Sequence, residues 1–208
     1  MRLADIRAQL RFRLQEPQST GRFSDAELDS YINRGQAEVA DQLEPLVKVT
    51  SLSFEAGVAT QPLPDNLLRI HRASIGGTAL RTTDPLALDA TSTTWEGATG
   101  TPTHYFIQGN DLRLYPIPDS PVTVDVTHSY LPEDLVDDTD ELSLPGWMEE
   151  GVILYALGLA LESDMDNRSG NAYQKYQIWL ERAIRRLRHR TIEPTIRVTL
   201  SRMRESSQ

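Results

Sequence analysis

The chain has 208 residues, enough for one domain or one domain carrying an insertion, and it contains no cysteine, which excludes a disulfide framework, a thiolate metal site and a cysteine nucleophile. Its net charge is −9, but the sign is uneven: from Glu181 onward eight arginines face three glutamates, a balance of +5 that leaves −14 for the remainder. A protein that grips duplex DNA from solution shows a dominant basic face, so this distribution points to head-to-tail docking between copies or to docking on an acidic partner.

The opening residues MRLADIRAQLRFRL lack the continuous apolar run of a signal peptide, and the most apolar stretch, Gly151 to Leu161, is shorter than the ~20 residues that span a bilayer. Neither secretion nor a membrane partner is expected. The first element is a helix from about Arg2 to Glu16, with Leu3, Ile6, Leu10 and Leu14 on one stripe, ended by Pro17. A second helix begins at Ser24, with Glu27 completing a capping box and Phe23 at the staple position, and continues through Leu28, Tyr31, Ile32, Val39 and Leu43 to Pro45. Two such helices form a hairpin that needs further helix to cover its apolar stripes.

After Pro45 the period changes. Val47 to Phe54 alternates, which predicts a strand with Val47 and Val49 inward together with Leu52 or Phe54. Leu67 to Ile75 is another apolar run, closed by a Gly76-Gly77 turn. The span from Thr82 to Thr103 reads as a long loop with one helical turn near Pro85 to Asp89. The runs Tyr105 to Gln108, Leu112 to Tyr115 and Val122 to Tyr130, parted by Gly-Asn-Asp and by a Pro-rich hexapeptide, predict a β-meander. In the third run Val122, Val124 and Val126 alternate with polar residues and take the buried face.

Helices return after an acidic loop, Glu133 to Glu141. Pro145, Glu149 and Glu150 suit a helix start, and Val152 to Leu161, apolar nearly all round, predicts the central helix of a bundle. Asp164 to Gly170 reads as a turn. A fourth helix is expected from Asn171 to His189, with Tyr173, Tyr176, Leu180, Ala183, Ile184 and Leu187 on one face. Pro194 then predicts an end, and Thr195 to Leu200 alternates like a lone strand able to join another chain's sheet edge.

The order predicts an α+β fold. A helical bundle is built from N- and C-terminal helices (1–46 and 132–191), a β-rich insertion (47–131) separates them, and an extended basic C-terminal arm (192–208) follows.

Catalytic chemistry finds little support. His71, His104, His128 and His189 have no metal-ligand spacing, and no phosphate-binding loop or nucleophile elbow occurs. No catalytic residue, cofactor or metal is expected. Asp134, Asp137, Asp138, Asp140 and Glu141 offer oxygens for a divalent cation, yet an exposed acidic loop needs none and the EF-hand spacing is missing. A metal-dependent hydrolase built on these carboxylates is one rival reading, and nucleic-acid binding through Arg182 to Arg204 is another. The arginines of the last helix complement its dipole as far as Arg190, but Arg197, Arg202 and Arg204 lie beyond Pro194 and call for another account.

Several weak pieces in a fixed order carry a resemblance. They are Phe23-Ser24-Asp25-Ala26-Glu27-Leu28 with Tyr31-Ile32-Asn33, Pro64-Asp65-Asn66-Leu67-Leu68-Arg69-Ile70, Gly76-Gly77, Trp95, Gly100-x-Pro102-x-x-Tyr105, Leu112-Arg113-Leu114-Tyr115-Pro116-x-Pro118 and Tyr130-x-Pro132. From about Ser24 to Leu187 the chain resembles the head-to-tail connector, or adaptor, proteins of tailed bacteriophages; His104 departs from the aromatic expected there. The resemblance implies a non-enzymatic virion protein at the head-to-tail junction, present in the host cytoplasm during assembly. It would form a homo-oligomeric, dodecameric ring that binds the portal protein after packaging and joins it to the next tail or connector protein. DNA would pass through without specific binding, along an acidic lumen. On this reading Arg182, Arg185, Arg186, Arg188, Arg190, Arg197, Arg202 and Arg204, with Ile196, Val198 and Leu200, form the portal-docking arm, and the β insertion faces the next component or neighbouring subunits.

Overall fold

The structure is a computed structural model that describes residues 1–16, 21–92 and 94–205, with side chains described through Arg188. It divides into two units: residues 1–43 with 132–208, and the inserted residues 44–131.

The helical unit begins with α1, Leu3–Leu14, whose expected stripe of Leu3, Ile6, Leu10 and Leu14 is buried. The next helix, α2, spans Asp25–Leu43 and buries Leu28, Ile32, Val39 and Leu43. Its capping box is formed: Glu27 N donates to Ser24 Oγ at 3.3 Å, and Ser24 N donates to Glu27 Oε2 at 2.8 Å. Phe23 packs edge-on against Tyr31. After the insertion a 3-10 turn, Gly146–Met148, leads into α4, Glu149–Ser163, with both glutamates in its first turn.

That helix (α3, Pro85–Thr91, lies in the insertion) is the centre of the unit, because it is buried on nearly every side and contacts α1, α2 and the last helix, α5, Ser169–Glu205. Glycines set these close crossings. A Cβ at Gly35 of α2 would lie 2.8 Å from the Val152 carbonyl oxygen, and Cβ atoms at Gly151 and Gly158 would meet the rings of Trp179 and Tyr173 at 2.2 and 2.8 Å. Two aromatic side chains of α5 thus fill notches on α4, and Tyr176 between them is 1% exposed.

The strand expected over Thr195–Leu200 is instead a continuation of α5, with Pro194 in its interior. A lone strand leaves its backbone N–H and C=O groups unpaired, whereas a helix satisfies them within the segment and loses only one bond at the proline.

The insertion is a pair of packed sheets. Its strands are β1 Val47–Phe54, β2 Thr60–Pro62, β3 Leu67–Ile75, β4 Thr78–Ala79 and β5 Arg81–Thr82, followed by helix α3, Pro85–Thr91. Then come β6 Thr99–Gly100, β7 His104–Gln108, β8 Asp111–Tyr115, β9 Ile117–Pro118 and β10 Val122–Tyr130. One sheet has the order β1-β10-β3-β4 and the other β2-β8-β7-β5, while β6 and β9 form a small parallel pair. Phe54, Leu63, Ala73, Tyr105, Leu112, Leu114, Val124 and Val126 fill the space between the two sheets. The turn at Gly76-Gly77, with φ of 53° and 84°, joins β3 to β4 in the left-handed backbone that glycine allows.

Two expectations are corrected here. The meander is not continuous: β7 and β8 form a hairpin, but β10 leaves that sheet and pairs antiparallel with β1 and β3. The parity of β1 is also reversed, since Val47 and Val49 are exposed while Phe54 is buried. The other parity has its own anchors: the Lys48 ammonium lies 4.4 Å from the centre of the Tyr130 ring, and Thr50 Oγ1 is 3.0 Å from Nε2 of the buried His128. The long loop is more ordered than expected. Asp84 caps α3 by accepting from Ala87 N at 2.9 Å, and Leu88, Trp95 and Phe106 form a second small core with Tyr115 packed against it.

Candidate functional site

The basic residues singled out from the sequence fall into two groups. Within the bundle, Arg182, Arg185 and Arg188 are exposed along α5, on the side away from the buried Tyr176, Leu180 and Ala183. Ile178 and Lys175 continue the Arg182–Arg185 row one and two turns earlier. Arg186 is held differently, its guanidinium 4.7 Å from the centre of the Trp147 ring. The side chains of Arg190, Ile196, Arg197, Val198, Leu200, Arg202 and Arg204, and of His189, lie outside the described residues.

The acidic loop is tied to α1 and α2 rather than left as a free cluster. Leu3 N and Ala4 N at the start of α1 donate to the carbonyls of Asp140 and Asp138, at 2.9 and 3.3 Å. Asn33 of α2 donates from Nδ2 to Leu135 O at 3.0 Å and accepts from Leu135 N at 2.9 Å, much as a neighbouring strand would. Gln36 Nε2 donates to Glu133 O at 2.9 Å, and its buried Oε1 has no partner among the described residues.

The carboxylates divide accordingly. Asp138 lies 2.9 Å from Arg7, while Asp140 accepts from Val136 N and Asp137 N at 2.8 Å each. Those backbone donors, Asp137 first, hold the Asp140 pKa below the usual carboxylate range. The Asp138 and Asp140 oxygens are thus engaged with protein donors, and no cluster of three potential metal ligands occurs among the described residues. Glu133, Asp134 and Asp137 are exposed.

Arg7 is the hub of the ion pairs beneath this loop. It makes a bidentate pair with Asp29, both bonds 2.7 Å, and its pKa is raised chiefly by that hydrogen bond. Arg11 bonds Asp25 at 2.7 Å and the carbonyl of Phe23 at 3.0 Å, which draws the Asp25 pKa down. Arg11 also approaches Glu16, and Arg22 carries the chain onward from Glu16 to Asp164.

Between α2 and the loop this arrangement leaves a groove of about 500 Å³. Its lining is mostly small and apolar, with Ala26, Ser30 and Ala37 from α2 and Leu135 and the exposed Val136 from the loop, beside Asp134. No sequence pattern announced it, because α2 and Asp134 are about a hundred positions apart; the spacing of small residues at 26, 30 and 37 was the available signal.

The helical unit is thus assembled from helices at both ends of the chain, and the β unit is inserted between them in sequence. The chain belongs to the SU10 adaptor protein family, whose model matches residues 1–202. The resemblance to connector proteins read from the sequence is thereby borne out. No curated protein matches the chain. Among solved structures, a chain from the neck of an empty GTA particle is similar, with 14% identity over 74% of this chain and 76% of that one and a TM-score of 0.29.

Proposed function

We propose that the chain is a structural component of a head-to-tail junction, a ring-forming adaptor that joins the portal protein to the next tail or connector protein. The observation that carries this reading is the family match over residues 1–202. The ring is dodecameric, sits at the junction in the virion, and is assembled from subunits made in the host cytoplasm. The portal contact is made by the C-terminal segment of α5, chiefly Arg190, Ile196, Arg197, Val198, Leu200, Arg202 and Arg204. The acidic balance of −14 outside the basic end supports passage of DNA without adhesion, since cationic walls would hold phosphates by counterion release.

The test is a pull-down from cells expressing the cognate structural genes, comparing the full chain with one ending at Thr191. Recovery of portal protein by the full chain alone is expected. Equal recovery by both chains would remove the docking role of the segment. Salt-dependent recovery of nucleic acid instead would move the protein to the nucleic-acid-binding class.

A further inference from the structure

The charge asymmetry of the chain has a structural counterpart in two surfaces of the helical unit. One is the groove along α2, where Ala26, Ser30 and Ala37 expose little side chain and Leu135 and Val136 form the opposite wall. Val136 is 77% exposed, a large apolar group that nothing in the described chain covers. The carboxylates Glu133, Asp134 and Asp137 flank this wall and are exposed. Asp29 in the lining is already bound by Arg7, and Arg34 is the one cation there among the described residues.

The other surface is the outward row of α5. Lys175, Ile178, Arg182 and Arg185 recur at intervals of three and four, so they share one face, and all four are exposed. A single isoleucine, 44% exposed, stands among three cations. The dimensions agree: the groove from Ala26 to Ala37 is about 17 Å long and the row from Lys175 to Arg185 about 15 Å, at ~1.5 Å per helical residue. Small residues on α2 let a second helix approach closely, since the interaxial distance of packed helices is set by the side chains at the contact.

We infer that the α5 row of one copy packs into the α2 groove of the next, with Ile178 against the Ala26–Val136 floor and Lys175, Arg182 and Arg185 against the exposed carboxylates of the 133–137 segment. The occupant is a second copy of this chain because both complementary surfaces, acidic groove and basic row, belong to the same molecule. Such a contact is heterologous, joining two different patches, so it propagates from copy to copy and closes into a ring when the rotation permits. It deepens the ring proposed above and rests on that reading.

The absence of cysteine from the sequence makes the test direct. Two full-length variants, Ser30→Cys and Ile178→Cys, are oxidised separately and as a mixture, and disulfide-linked pairs are counted on a non-reducing gel. The mixture is expected to give a mixed 30–178 pair well above the pairs formed by either variant alone. That pair should be lost when the Ser30→Cys chain also carries Asp134→Lys and Asp137→Lys, and regained when the Ile178→Cys chain carries Arg182→Glu and Arg185→Glu. Only 30–30 or 178–178 pairs, or none at any concentration with circular dichroism intact, would overturn the interface. Portal recovery measured on the same chains keeps the two readings apart: portal bound without a mixed cross-link removes this interface alone, and a mixed cross-link without portal removes the docking role alone.

Discussion

Substituting Gly151 by alanine tests whether α4 and α5 are held by the notches that the glycines leave. A Cβ at this position would lie 2.2 Å from Trp179 Cη2 and 2.3 Å from Cζ3, whereas carbon atoms rest about 3.5–4.0 Å apart. The indole must retreat by roughly 1.3 Å, and it stacks on Tyr176 with ring centres 5.9 Å apart, so the displacement passes into the core. Overpacking of this kind costs about 1–3 kcal/mol. Against it stands the helical preference for alanine over glycine, about 0.5–1 kcal/mol. The net expectation is a loss of about 1–2 kcal/mol, a fall in Tm of roughly 3–6 °C for a chain of this size. Gly170, also in a helix but with nothing within 4 Å of its Cβ position, is the control, and alanine there should stabilise by about 0.5–1 kcal/mol. Thermal and urea unfolding followed by circular dichroism read both. Pairing Gly151→Ala with Trp179→Leu should recover part of the loss, a coupling between neighbours that a double-mutant cycle measures. If Gly151→Ala gains as much as Gly170→Ala, the notch is not what sets the crossing.

Glu38 has its pKa raised above 4.5, first by burial and then by Asp41, so the folded chain holds this proton more tightly than the unfolded one. Its penalty is therefore absent below pH 4.5 and grows as pH rises through the folded value. Glu38→Gln should accordingly raise Tm at pH 8 and leave it unchanged near pH 4, and a gain that is the same at both would refute the assignment. Arg7→Met deprives the partly buried Asp29 of its bidentate partner and should cost about 2–4 kcal/mol, whereas Asp138→Asn, at an exposed carboxylate, should cost under about 1 kcal/mol. Equal losses in urea melts would show that Asp29 draws nothing special from Arg7.

Much of the helical unit was legible because its signals are local. The Ser24–Glu27 box, the leucine stripe of α1 and the apolar run of α4 each act within a few residues, and the structure uses all three. The strands were harder for a physical reason. Turn residues announce that a chain reverses, but they do not say which sheet the next strand joins, and β10 crosses to β1 and β3. Likewise Val-Lys-Val in β1 gave the wrong parity, because the inward face is decided by Leu52, Phe54 and the ring beneath Lys48, not by hydropathy at the strand's start. The arginines were visible as charge, but their division was not: Arg186 is set apart by Trp147, which lies far from it in the sequence. The groove on α2 depends on Asn33 and Gln36 binding backbone about a hundred residues away, a pairing that no local pattern encodes.

The two strands that bound the insertion, β1 and β10, run antiparallel beside each other over eight residue pairs, from Val47 opposite Ser129 to Phe54 opposite Val122. Where the chain enters and leaves, Tyr130 N donates to Leu46 O at 3.2 Å, so the two ends of the insertion are only about 5 Å apart at the backbone. A segment whose ends meet is a cassette. It can be lengthened, exchanged for another fold with adjacent termini, or replaced by a short loop from Leu43 to Pro132 without stretching the helices on either side. Selection acting on what the β unit touches is thereby freed from selection acting on the helical frame.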